Sequence, residues 1–222
     1  MNKFDLHLHS KYSADALPKP ESISRETLRK GLKGFAITDH CNTGAFKEFK
    51  QLQKKDKNLL VVFGEEVKIL ENERFVGELL CYFLQEEIKP ASFEEIIDNA
   101  KKQNALVSIA HPFDFSRNGF EKDLGKEFRK VQAIEAFNAR AYTASANDKA
   151  LDFAEKHSFP FTAGSDAHSL QEVGKAGLEC NASSEEELRK AILKRKCTIF
   201  SNGLIPKTSQ LVCSIRARLN FK

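Results

Sequence analysis

The chain has 222 residues, 41% of them hydrophobic and 30% charged, with a formal net charge of +4. That suits one sizeable α/β core or two small domains, and no apolar run approaches the roughly 20 residues that cross a bilayer. Asp5, His7 and His9 interrupt any signal-peptide pattern at the N-terminus, so a cytoplasmic protein without membrane association is expected.

The five cysteines (Cys41, Cys81, Cys180, Cys197, Cys213) are scattered and never spaced as Cys-x-x-Cys. They read as reduced thiols rather than a disulfide framework or thiolate metal site. After Leu204 stand Lys207, Arg216, Arg218 and Lys222 with no acidic residue, so this tail carries the whole charge excess. The rest is formally balanced, which argues against a broad basic face for duplex nucleic acid.

In chain order, apolar runs alternate with polar, helix-type stretches. Phe4–Leu8 opens as a strand and runs into His7-Leu8-His9, two imidazoles on one side of it. Pro18 and Pro20 precede a helix through about Arg25–Lys30. Gly34–Thr38 is a strand ending in Asp39-His40, followed by a helix over Thr43–Lys55. Leu59–Phe63 ends in Glu65-Glu66. Val67–Ile69 and Arg74–Leu84 flank Glu71-Asn72-Glu73 as a hairpin-like extension. Ser92 with Glu95, and Ser184 with Glu187, have the capping-box form and open amphipathic helices. Ala105–Ala110 ends in His111-Pro112, Ala133–Phe137 contains Glu135 and precedes Asn138, and a helix spans Thr143–Lys156. Phe159–Ala163 runs into Ser165-Asp166-Ala167-His168, and Cys197–Phe200 is a weaker strand. Mostly continuous apolar runs fit strands buried on both faces.

Five of the six histidines stand at strand ends. The sixth, His157, closes a helix, where a helix-end role suffices. In a parallel barrel the C-terminal strand ends converge on one face. Histidine with carboxylate and no thiolate suits zinc, manganese or iron, and the number of ligand-type residues exceeds one tetrahedral site. A cluster of two or three divalent ions follows.

These residues, in this order, resemble the PHP (polymerase and histidinol phosphatase) family. The stretch from Asp5 through His7, His9, Lys11 and Ser13 to Asp15 resembles its first motif, Thr38-Asp39-His40 its second, His111-Pro112 its third and Asp166-Ala167-His168 its fourth. The resemblance covers roughly residues 1–200. It implies an α/β fold, a distorted seven-stranded (β/α)7 TIM-like barrel in a single domain over residues 1–203. A basic tail over 204–222 would pack on the barrel or a neighbouring subunit through Leu211, Ile215 and Leu219, which share a helical face.

Carried over by position, His7, His9 and Asp166 would hold a first ion, Glu66 would bridge it to a second that also takes His111, and Asp15, His40 and His168 would hold a third. Some relatives use a further histidine for the second ion. None lies between His40 and His111 here, and Glu78 is the expected replacement. The family's reactions are mostly hydrolysis of phosphate esters, with Glu66, Asp166 and His168 as catalytic residues and a metal-bridging hydroxide as nucleophile. Arg140, Arg117 and, more weakly, Lys11 are candidates to grip phosphate oxygens.

The leading expectation is a metal-dependent phosphomonoesterase acting on a small metabolite or nucleotide. An exonuclease on RNA or DNA ends is the enzymatic alternative. A non-catalytic PHP module stabilising a partner is the third, and the near-complete ligand set weighs against it.

Overall fold

A computed structural model of the chain describes residues 1–117 and 128–220. One mixed sheet holds the molecule together, in the order β7-β6-β5-β4-β3-β2-β1-β8-β9. The strands are β1 (Asn2–Leu8), β2 (Gly34–Ile37), β3 (Leu60–Glu71), β4 (Arg74–Tyr82), β5 (Leu106–Ile109), β6 (Ala133–Asn138), β7 (Phe161–Gly164), β8 (Ala176–Cys180) and β9 (Cys197–Ser201). Six α-helices are described: α1 (Pro20–Arg29), α2 (Phe46–Lys55), α3 (Phe93–Lys102), α4 (Ala144–Lys156), α5 (Glu185–Leu193) and α6 (Lys207–Asn220).

β1, β2 and β3 pair in parallel, as do β5, β6 and β7. The sheet curls so that the end of β7 meets β1. Asp166 N donates to His7 O at 2.6 Å, His9 N to Ala167 O at 2.9 Å, and Leu8 bridges Ala167 in parallel. Gly164 makes this closure possible, because a Cβ there would lie 2.5 Å from the His7 nitrogen. The result is a nearly closed, barrel-like sheet.

Two features depart from the expected seven parallel strands. The extension after the third strand is a long β3–β4 hairpin inside the sheet, with β4 antiparallel to both β3 and β5. A strand that sequence reading does not find, β8, pairs antiparallel with β1 and carries β9 on its other edge. Among the described residues the sheet therefore has nine strands, not seven.

The local reasons are ordinary. α1 opens with Pro20 in its first turn, where the missing N–H costs nothing. α3 has the expected capping box between Ser92 and Glu95. At α5 only half forms. Ser184 accepts from Glu187 N, while the Glu187 carboxylate turns to the N–H and hydroxyl of Ser183. α1, α2 and α3 pack one face of the sheet around Phe35, Phe49, Val61, Ile69 and Ile96. α5 packs with Phe4, Leu6, Leu80 and Leu106.

The tail meets the barrel through a face other than the Leu211–Ile215 stripe. Leu211 and Ile215 of α6 are exposed, whereas Cys213 is buried and donates its thiol to His168 O at 3.0 Å. The side chains of Arg218 and Leu219, and Lys222 entirely, lie outside the described residues. All five cysteines are free.

Candidate metal centre

At the strand ends where the sheet closes, nine side chains from six places in the sequence turn toward one another. His7 and His9 leave β1 on the same side, two apart as the pleat requires. Glu66 follows from β3 and Glu78 from β4. Its neighbour Glu65 points the other way, into the protein, where it accepts from Ile88 N at 2.9 Å. His40, His111, Asp166 and His168 sit on the loops after β2, β5 and β7, and Asp15 on the loop after β1.

Glu66 is the hub. Its Oε2 lies 3.3 Å from His7 Nε2, 3.4 Å from His9 Nε2 and 3.0 Å from His40 Nδ1, and its Oε1 lies 3.1 Å from His111 Nε2. Asp166 Oδ1 is 3.3 Å from His9 Nε2 and 3.4 Å from His168 Nδ1. Asp15 Oδ2 sits 3.5 Å from His40 Nε2 and 3.3 Å from His168 Nε2. Glu78 reaches His111 Nε2 at 3.4 Å and His40 Nδ1 at 3.7 Å. Three groups of ligand atoms result, each within 4.8 Å: His7, His9 and Asp166; His9, His40 and His168; and His40, Glu66 and Glu78. His40 thus stands between two groups rather than in one.

These residues fit divalent cations. His7 Nε2, His9 Nε2, His40 Nδ1, Asp166 Oδ1 and Asp15 Oδ1 are buried without a hydrogen-bond partner, a costly arrangement for polar atoms with nothing to bind. A mixed imidazole and carboxylate set is a usual ligand set for divalent metal ions.

Electrostatics agrees. Burial, then the rings of His40 and His168, pushes His9 down to about 3, so it is neutral and coordination-ready. For His7, burial is outweighed by Glu135, Glu66 and Asp166, which hold the ring well above its ordinary range. For Glu66, burial is outweighed by His7 and His40, and for Asp166 by Arg117 and His7, so both stay ionised. His111, desolvated but bonded to Glu66 and Glu78, rises to about 9. Without cations, protons on the rings balance the carboxylates, and metal uptake has to release them.

A supporting layer holds the ligands, and sequence reasoning did not assign it. Glu135 on β6 bonds His7 Nδ1 and the His111 N–H, both at 2.8 Å. Asp39 accepts from the Ser10 N–H and from the hydroxyls of Ser10 and Ser13, fixing the turn after His9. Glu172 accepts from the His168 N–H at 2.8 Å and Arg140 Nη1 at 3.1 Å. Asp166 and His111 have φ of 55° and 29°, left-handed values uncommon outside glycine though better tolerated by Asp and His, and held by the bonds to His7 O and Glu135. The only signal for Glu135 was an acid inside an otherwise apolar strand.

Above the ligands opens a cleft of about 1330 Å³ lined by Asp15, His40, Glu78, Asp166 and His168, with Arg117, Arg140 and Lys68 among its walls. Arg117 pairs with Asp166, and Arg140 is buried against Glu172. Lys11 is not brought there. Its ammonium bonds Glu48 of α2 at 3.0 Å, and it is absent from the lining.

Comparison with known proteins places the chain. The PHP domain model matches residues 5–151, and a PHP-associated model matches 144–197. An uncharacterized protein of Methanocaldococcus jannaschii, MJ0417, is 32% identical over 220 residues, covering 95% of this chain and 85% of its own. Among solved structures, a two-domain Bacteroides vulgatus protein containing a predicted PHP-like metal-dependent phosphoesterase superposes with a TM-score of 0.73 at 20% identity, over 97% of this chain and 69% of its own. The lesion-specific endonuclease EndoQ of Pyrococcus furiosus superposes with a TM-score of 0.63 at 21% identity, over 89% and 57%. This chain belongs to the PHP domain family.

Proposed function

We propose that this PHP-family chain is a metal-dependent hydrolase of phosphate esters, a phosphomonoesterase acting on a small phosphorylated metabolite or nucleotide. The observation that carries the reading is the convergence of nine ligand-type side chains beneath a cleft walled by Arg117 and Arg140. The description of the Bacteroides neighbour as a metal-dependent phosphoesterase points the same way.

His7, His9 and Asp166 would hold a first manganese, zinc or iron ion, Glu66, His111 and Glu78 a second, and Asp15, His40 and His168 a third. Bound ions of this kind polarise phosphate oxygens and lower the pKa of water to about 7. The chain's own part is positioning. Arg140, buried and oriented by Glu172, offers a guanidinium fork to phosphate oxygens. Arg117, already on Asp166, turns between that carboxylate and the substrate. Glu66, Asp166 and His168 stand at the reacting centre. Burial of His7, His9, Glu66, His111 and Asp166 beneath the cleft strengthens the charge interactions among them. Residues 1–203 form the catalytic unit in this reading, with 204–222 as an appended basic helix, and the protein works in the cytoplasm. No described helix is long and apolar enough to cross a membrane.

Metal analysis of the purified protein should find two to three transition ions per chain, and His9→Ala should abolish turnover of simple phosphate monoesters. Metal-free protein that stays active, or an unaltered His9→Ala rate, sinks the proposal.

A second reading, an exonuclease on RNA or DNA ends, has one observation in its favour. Lys47, Lys50 and Lys54 of α2 line a groove with Thr43 and Gly44, next in sequence to Asn42 of the cleft wall. Such a stripe suits a phosphate backbone. Oligonucleotide cleavage that outpaces mononucleotide hydrolysis and falls steeply with salt would favour it.

A further inference from the structure

The mouth of the cleft is aromatic and apolar, on a scale that phosphate binding does not require. Eight large hydrophobic side chains are exposed among the described residues, and Phe75 (37%), Tyr142 (45%) and Leu211 (63%) line this cleft. Phe115 (67%) meets the Tyr142 ring edge to face, with centroids 5.2 Å apart. Exposed apolar residues scattered singly mean nothing, but three of the eight lining one cleft, with Phe115 packed on one of them, mark a binding surface.

The aromatic pair is also built. Asp114 is buried, and its Oδ2 accepts the Tyr142 N–H at 2.9 Å while its Oδ1 accepts the N–H and hydroxyl of Ser116, at 3.1 and 2.6 Å. One carboxylate thus stitches the loop after β5 to the loop after β6 and presents Phe115 and Tyr142 side by side. Tyr142 stands two residues beyond Arg140, so the aromatic surface adjoins the candidate phosphate grip. Lys207, exposed at the start of α6, places its ammonium 3.3 Å from the Tyr142 ring centroid.

We propose that Tyr142 and Phe115 form a base-binding subsite, so that the substrate is a phosphate ester carrying a nucleobase next to the phosphate. This rests on the phosphoesterase reading and narrows it. With phosphate over the ligand cluster and between Arg117 and Arg140, the flat base lies on the Tyr142–Phe115 surface. The flexible Lys207 ammonium gives up the ring face to the base and turns to the phosphate. A base has a π-face for such a surface, whereas an aliphatic sugar phosphate leaves it exposed to water. The base belongs to a free nucleotide or to the last nucleotide of a strand, which share this chemistry.

Calorimetric titration of the metal-loaded protein with the non-hydrolysable phosphonate isosteres of adenosine monophosphate and ribose 5-phosphate tests it. The nucleotide isostere should bind at least about tenfold tighter, within the about five- to hundredfold range of base–aromatic stacking. Phe115→Ala and Tyr142→Ala should each remove most of that preference and leave ribose 5-phosphonate binding unchanged, while Tyr142→Phe retains it. In turnover the loss should fall on KM rather than kcat. Phe115 lies outside the core, so its alanine variant reads the subsite even if Tyr142→Ala folds poorly. Equal affinity for the two isosteres, or a preference that survives both alanine variants, overturns the proposal. A short oligonucleotide that competes through Tyr142 more tightly than the mononucleotide identifies a strand end, and a weaker one a free nucleotide. Both uphold the subsite. Absence of turnover on every phosphate ester would overturn the phosphoesterase reading instead, and the titrations would still decide whether a base is bound.

Discussion

Glu65 and Glu66 are chemically identical neighbours, and the pleat of β3 gives them opposite roles. Glu66 faces four histidines and is held ionised. Glu65 faces the interior with one N–H to accept, and burial pushes it up to about 8. A carboxyl raised in the folded state stabilises the fold fully only below its unfolded value. That contribution is lost as pH rises from the ordinary 4.5 to about 8. Glu65→Gln, always neutral, should therefore lose less stability between pH 5 and pH 9 than the parent does, read as urea midpoints. Parallel midpoint curves would contradict the assignment. Glu135 makes a second residue-level case. It touches ring and backbone nitrogens of His7 and His111 from behind, so Glu135→Gln should keep the fold and lower metal affinity about 10- to 100-fold. Equilibrium dialysis against manganese would measure it, with unchanged affinity as the contrary result. The convergence of the histidines and Asp166 was legible in sequence because residue type and strand-end position already point to one face of the sheet. Glu135 was not, because its role lies only in which nitrogens it faces.

Elements were legible wherever they are self-sufficient. α3 announces itself by its capping box and apolar stripe, and both form. The β1 to β3 runs are continuous apolar segments, and they pair in parallel. β8 is different in kind. Ala176-Gly177-Leu178-Glu179-Cys180 has a glycine and an acid in five residues, a poor strand on local terms. It becomes a strand because β1 offers it an edge, and Gly177 is needed because a Cβ there would meet Phe4 O at 2.0 Å. The β3–β4 hairpin was visible as a hairpin, yet the place of β4 between β3 and β5 depends on pairing that local sequence does not encode. α6 teaches the same lesson about faces. Leu211 and Ile215 form the better hydrophobic stripe, but the barrel takes Cys213 and Gln210, whose polar atoms meet carbonyl oxygens of His168, Arg140 and Ile205. Helical spacing says which residues share a side, but not which side meets the barrel.

At the scale of the whole molecule, closing β7 onto β1 draws Asp166 and His168, just past the last parallel strand, to His7 and His9 at the end of the first. Forming the closed sheet and assembling the site are therefore structurally coupled. In the metal-free chain the site is a buried knot of ionised carboxylates and protonated rings with several unpartnered atoms, an arrangement that takes stability from the fold. An ion that binds only the folded state adds to stability in proportion to the logarithm of its concentration, about 2.7 kcal/mol at a hundred times its Kd. In a chain of this size each kcal/mol moves the melting temperature by about 2–4 °C. Saturating manganese should therefore raise Tm by about 5–10 °C over protein held in chelator, the gain should grow with metal concentration, and His9→Ala should lose most of it. Because this readout needs no substrate, it separates a metal-built site from an accidental cluster even before a reaction is found. A melting temperature that is the same in excess manganese and in chelator would mean that the ligands close the barrel without ever needing an ion.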